Sequence, residues 1–267
     1  MTLYGRLMST LPTRLSSLKL TRRGSESQVL LVEMNRPDAF NALSPNMVRE
    51  LAEAVEYFEE DSSIRCLVLT GSTKAFSVGA DIQRLEELRE PDLMQQWDAV
   101  SSASKPTIAA VNGVALGGGA ELALACDVVY AGERARFGFP EIDLGILPGA
   151  GGTQRLVRAI GKSRAMEMIL SGKAISAKEA LACGLVSNVH PVNEVINASV
   201  DLAERISSHS LVALRASKKA INAAFQMPLN EGLQLERELF LRALSSSDGQ
   251  EGIQAHLQKR PPKFSHK

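Results

Sequence analysis

From residue 28 onward, short apolar runs alternate with amphipathic stretches. Residues 28–34 form an extended apolar run, which Arg36, Pro37 and Asp38 close as a turn. Met47, Leu51, Ala54, Val55 and Phe58 then recur at helical spacing. Ser44 followed by Pro45 supplies that helix with a cap and a first residue. Residues 65–70, 106–111 and 127–131 are further buried runs of strand length, with a short apolar helix predicted over 120–126. Strands separated by helices imply right-handed βαβ units and a largely parallel sheet.

After Gly161 the pattern becomes helical, over 163–170, 176–183, 193–208, 211–225, 229–244 and 250–258, with one further strand predicted at 186–189. Terminal helices with that much apolar face suit packing against a neighbouring subunit. Residues 1–25 carry Arg6, Arg14, Lys19, Arg22 and Arg23 and no acid before Glu26. That composition predicts a mitochondrial leader lying outside the fold. The expected divisions are therefore 1–25 as leader, 26–200 as an α/β core and 201–267 as a helical C-terminal region.

Composition narrows the function classes. The 267 residues are 45% hydrophobic and 22% charged, the balance of a folded globular chain. Thirty basic and thirty acidic side chains cancel, so nucleic acid, RNA included, is not expected as a partner. No apolar run reaches the ~18–20 residues of a membrane span. Cys66, Cys126 and Cys183 are odd in number and far apart in apolar surroundings, which fits reduced core thiols. His, Cys, Asp and Glu show no metal-ligand spacing, so no metal is expected.

The chemistry concentrates between residues 108 and 156. Gly113, Gly117, Gly118 and Gly119 follow a strand and precede a helix, without the spacing of either nucleotide-binding glycine loop. Such a helix start aims free N–H groups at an anionic oxygen. Glu121 falls in its first turn, where the helix dipole favours the ionised carboxylate. Glu141 sits among Phe137, Phe139 and Ile142, which favours the neutral acid. Two carboxyls pushed apart in pKa suit acid–base work. Residues 74–82 offer a second set of backbone N–H groups before a helix, and two such donors make an oxyanion hole.

The runs KAFSVGADI, IAAVNGVALGGGAELALACD and FGFPEIDLGILPGAGGTQRL resemble the enoyl-CoA hydratase (crotonase) family, over roughly residues 28 to 264. The resemblance implies an α/β fold with a crotonase-like spiral β-β-α core and a helical C-terminal trimerisation region, with hexamers as dimers of trimers. It implies a lyase that adds water to 2-enoyl-CoA thioesters, in fatty-acid β-oxidation or branched-chain breakdown in the mitochondrial matrix. No cofactor is implied, coenzyme A being part of the substrate. By motif position, Ala80 and Gly118 match the oxyanion-hole residues, Glu121 and Glu141 the catalytic glutamates, and Gly149 the support for the catalytic water. Ala39, Ala80, Ile82 and Lys259 match coenzyme A contacts. Asp38 and Gln83 stand where close hydratases carry lysine, and His256 where an aromatic residue is usual.

Isomerases and thioesterases of the family often lack one glutamate, so the pair favours a hydratase. The ending Lys259 to Phe264 also resembles methylglutaconyl-CoA hydratases, some of which bind AU-rich RNA, and isomerisation stays open as an alternative. Arg215, Lys218 and Lys219 form the one basic cluster, read as a solvated helix face. His190 and His209 read as structural. The helical region around Trp97 is expected to cover the acyl pocket.

Overall fold

The structure, a computed structural model, describes residues 15–267. A six-stranded sheet runs in the order β1 (Leu18–Arg23), β2 (Val29–Met34), β3 (Cys66–Thr70), β5 (Thr107–Val111), β7 (Val128–Gly132) and β10 (Asn188–His190). A second sheet of short strands runs in the order β4 (Ala75–Ser77), β6 (Val114–Leu116), β8 (Arg136–Gly138) and β9 (Ile175–Ser176). Pairing is parallel except at β1 with β2 and β8 with β9.

The two sheets are threaded alternately. Each of β3, β5 and β7 is followed at once by a short strand of the second sheet and then by a helical segment. After β4 come α2 (Pro91–Trp97) and α3 (Ala99–Ser102), and after β6 comes α4 (Gly118–Ala125). A 3₁₀ turn over Pro140–Leu144 follows β8 and leads to α5 (Gly152–Ile160). The chain thus makes three successive turns of a β-β-α spiral, the architecture that the sequence resemblance implied.

The period of two in the long strands sorts the core. Leu30, Val32, Leu67, Leu69, Ala109 and Val111 face α1 (Pro45–Glu60) and the second sheet. Val29, Leu31, Cys66, Val68, Ile108 and Ala110 face α8 (Val195–Ser207), through Val200 and Ala203. The cap expected for α1 is present, Ser44 Oγ accepting the N–H of Met47 at 3.3 Å. Lys105 is fully buried beyond that helix. Its ammonium donates to the carbonyls of Phe58, Asp61 and Ile64, at 2.5, 2.8 and 2.8 Å, which ties the end of α1 to the start of β5.

Several expectations need correction. Residues 18–23, expected in the leader, form a strand of the main sheet: β1 lies in register against β2, with Leu18 opposite Met34, and Arg22 is anchored to Asp61 and Tyr57. The rest of the expected leader, residues 1–14, lies outside the described residues. A divide at 200 falls inside α8, which packs on the core sheet. The second sheet and α5 are not among the predicted elements; strands of two or three residues carry almost no periodicity. The remaining helices are α6 (Lys162–Ser171), α7 (Ala177–Ala182), α9 (Leu211–Ala223), α10 (Leu229–Ser245) and α11 (Ser247–Leu257), each within a few residues of its predicted span. Among the described residues no helix is long and apolar enough to cross a membrane.

Candidate active site

The short parallel sheet is what assembles the site. Ser77 of β4 pairs with Ala115 of β6, and Ala115 with Phe137 of β8. The carboxyl ends of these strands therefore lie side by side, and three or four residues past that shared level come Ala80, Gly118 and Glu141. All three line one cavity of about 290 Å³, with Glu121, Trp97 and Gly149. The rest of its wall is largely apolar and includes Val78, Leu85, Met94, Leu144 and Leu147.

Backbone pairing dictates where the Ala80 N–H points. Leu43 donates to the Gly79 carbonyl at 2.8 Å, and Asp81 donates to the Leu43 carbonyl at 3.1 Å. In such a parallel bridge the residue between them turns its own N–H away from the partner. Gly118 is the first residue of α4, so its N–H has no intrahelical acceptor. A Cβ on Gly118 would lie only 3.4 Å from the Ala80 nitrogen, which makes the two amides neighbours. Two free N–H groups beside one cavity form a seat for a developing oxyanion.

Glycine is required on both sides of that seat. Gly117 has φ +50° and ψ −126°, a combination closed to residues with a Cβ. A Cβ there would also meet Glu141 Oε1 at 2.7 Å. At Gly118 a Cβ would lie 2.8 Å from the Trp97 ring, so the indole closes over the α4 start.

The two glutamates differ in their partners. Glu121 is 3% exposed, and its Oε1 accepts the N–H of Ala150 at 2.8 Å and of Gly152 at 2.7 Å. Burial nonetheless wins over these donors and over the positive charge of Arg155, so its pKa is raised. That corrects the expectation of a carboxyl biased to the ionised form by the helix dipole. Glu141 is pushed further, up to about 7, by burial and then by the nearby Glu121 charge. Its Oε2 is buried without a hydrogen-bond partner among the described residues. Both carboxyls thus shift in the same direction, and their difference lies in the donors: Glu121 holds two backbone N–H groups, while one oxygen of Glu141 is free to face a ligand.

This geometry can be set beside known proteins. A family model described as enoyl-CoA hydratase/isomerase matches residues 24–267. The chain belongs to that family. A probable mitochondrial enoyl-CoA hydratase from Dictyostelium discoideum is 46% identical, covering 91% of this chain and 89% of its own. A 2,3-dehydroadipyl-CoA hydratase from Escherichia coli K12 is 47% identical, covering 90% and 96%. Among solved structures, an enoyl-CoA hydratase subunit from Geobacillus kaustophilus HTA426 superposes with a TM-score of 0.89 at 44% identity, over 94% of this chain and 98% of that one.

Not every residue expected from the family pattern meets the cavity. Ile82 lines its mouth and is 64% exposed. Ala39, in the turn Pro37–Ala39, and Lys259, past the end of α11, are not part of its wall. Beyond the residues expected from the sequence, the site includes the N–H donors of Ala150 and Gly152 and the nearby cation of Arg155. Trp97 lines the cavity, with its ring against Gly118. The basic cluster is not a free helix face: Lys218 bonds Asp127 at 2.7 Å and the Lys105 carbonyl at 2.9 Å, and Arg215 pairs with Glu59. Among the described residues no group of His, Cys, Asp and Glu could hold a metal.

Proposed function

We propose that this chain is an enoyl-CoA hydratase acting on uncharged 2-enoyl-CoA thioesters to give 3-hydroxyacyl-CoA, with Glu121 and Glu141 as its acid–base pair. The observation that carries the reading is the presence of two carboxyls, unequally solvated, in one cavity beside two free amides. Adding water across a double bond needs one proton removed from water and one delivered to C2. Moving a double bond needs only one group that takes and returns a proton. Two carboxyls therefore favour hydration over isomerisation.

In the proposed reaction the thioester oxygen rests between the N–H groups of Ala80 and Gly118. Ionised Glu121 takes a proton from water as the water oxygen bonds to C3. The double-bond electrons move onto the thioester oxygen as an enolate, which the two amides stabilise; each such donor is worth about 3–4 kcal/mol of barrier. The enolate electrons then return to form the C2–H bond with the proton of Glu141. Glu121 is left protonated and Glu141 ionised, and exchange with solvent resets both. Gly149, in the cavity wall, is assigned to steady the water through its N–H. Every step uses the chain's own groups, with coenzyme A arriving as part of the substrate.

The cavity wall also bears on the acyl group. Among the described residues its charged members are Glu121 and Glu141, with no Lys, Arg or His beside them. An acyl chain ending in a second carboxylate would meet repulsion and no cation. This favours a neutral acyl chain over methylglutaconyl-CoA, and over the substrate named for the Escherichia coli relative. Ala39, Ile82 and Lys259 are assigned to the coenzyme A part, outside the acyl cavity.

We assign the chain to a homo-oligomer, a trimer or a pair of trimers, built through α9 and α10, where Ile221, Leu229, Phe240 and Leu241 are each more than half exposed. We assign it to the mitochondrial matrix on residues 1–14, which carry Arg6 and Arg14 and no acid, supported by the relatives named mitochondrial from Dictyostelium discoideum and Pongo abelii; bacterial relatives are as similar. The activity is tested by adding purified protein to crotonyl-CoA. Loss of the conjugated enoyl absorbance, with a product heavier by one water, is the expected result. An unchanged spectrum with folded protein would overturn the reading.

A further inference from the structure

Arg155 lies in the first turn of α5 and is absent from the cavity wall. Its Nη1 donates to the Ala150 carbonyl at 2.7 Å, and its backbone N–H donates to the Gly151 carbonyl, also at 2.7 Å. The guanidinium lies so close over Gly151 that a Cβ there would sit 2.0 Å from Nη1. The residues it grips, 150 and 151, are those that present the Ala150 and Gly152 amides to Glu121. Nη2 also approaches Asp98 at 3.6 Å. Asp98 follows Trp97, the residue whose ring covers Gly118. One side chain therefore links the cradle of Glu121 to the segment that covers the α4 start.

We propose that Arg155 is a positioning residue for Glu121, holding the 150–152 loop so that its amides meet the carboxylate, and favouring the ionised carboxylate by its charge. Two charged groups from other elements act in this region, Glu141 from the segment after β8 and Asp98 facing Arg155 from the α2–α3 junction. Glu141 opposes ionisation of Glu121, and Asp98 partly offsets the Arg155 charge. Arginine suits the task because its planar fork reaches the carbonyl and Asp98 at once, while lysine keeps the charge on a single point.

The kinetic part of this inference rests on the proposed hydration. In that reaction kcat/KM falls in acid as Glu121 takes up a proton, since the base must be ionised. Arg155→Gln removes the charge and leaves a shorter, neutral amide in its place. It is expected to move the acid limb of the kcat/KM profile upward by roughly half a pH unit or more, leaving the alkaline limb within experimental scatter. Arg155→Lys is expected to hold the limb in place while kcat falls several-fold. Infrared titration of the buried carboxyl in a Glu141→Gln background reads the same shift without turnover.

An acid limb and a titration unmoved in folded Arg155→Gln would overturn the assignment. Should that variant not fold, Arg155→Lys decides: a reduced kcat with an unmoved limb supports the assignment, and parental kcat contradicts it. A parent that leaves crotonyl-CoA unchanged would sink the hydratase reading instead, and the infrared titration would still judge Arg155.

Discussion

Glu121 Oε1 accepts the N–H of Gly152 at 2.7 Å, joining the first turn of α4 to the first residue of α5 through one buried oxygen. The second donor, Ala150, meets the same oxygen. The carboxylate is thus both a proposed reacting group and the tie between two turns of the spiral. Loss of its charge should be felt in the position of the 150–152 loop as well as in proton transfer.

The pH profile follows from the two carboxyls. Glu141 must be protonated to deliver its proton, so kcat/KM should fall as pH rises through about 7. Glu121 must be ionised, and its raised pKa places the acid limb above the ordinary glutamate value. The same shift has a sign in stability. A carboxyl whose folded pKa is raised stabilises the fold at low pH, and that contribution is lost as pH rises between the ordinary glutamate value and about 7. Glu141→Gln should therefore gain in melting temperature relative to the parent across that window. A constant difference at all pH values would contradict it.

Gly117→Ala forces a Cβ into a backbone region that rejects it and against Glu141 Oε1. The expected cost is about 1–3 kcal/mol of stability, read by chemical denaturation. A fall in kcat of at least tenfold is expected with it. Parental stability and rate would show that neither constraint operates.

Trp97 separates the main cavity from a small void lined by Leu43, Val48, Leu51, Val100 and Leu122. Trp97→Ala joins the two spaces. The ratio of kcat/KM for decenoyl-CoA to that for crotonyl-CoA should rise roughly tenfold, about what one or two buried methylenes contribute to binding. An unchanged ratio across the chain-length series would place the acyl tail elsewhere.

Lys105→Met removes the ammonium that three buried carbonyls share. Leaving them without a donor should destabilise the chain by about 3 kcal/mol. A change below about 0.5 kcal/mol in urea denaturation would mean that water replaces the ammonium.

Much of this architecture could be read from residue order, for identifiable reasons. Ser44 and Pro45 mark the start of α1 because capping chemistry is local. The long strands of the main sheet announce themselves through unbroken apolar runs. β1 did not, since Lys19, Arg22 and Arg23 point outward or into ion pairs and mask the alternation of Leu18 and Leu20. The glutamates and the two glycine-bearing loops were legible as separate pieces. Their common cavity was not, because it depends on β4, β6 and β8, each three residues long. The partners of Glu121 were hidden for another reason. They are backbone amides about thirty residues onward, and an amide carries no residue signature of its acceptor. The sign of the Glu121 shift likewise depends on burial, which the helix-dipole argument leaves out.

That two carboxyls share the addition of one water is tested by following crotonyl-CoA hydration in the parent, Glu121→Gln and Glu141→Gln. Each variant is expected to stay folded and lose roughly 10²–10⁴ in kcat, the usual contribution of a positioned acid or base. Either variant turning over at the parental rate would contradict it.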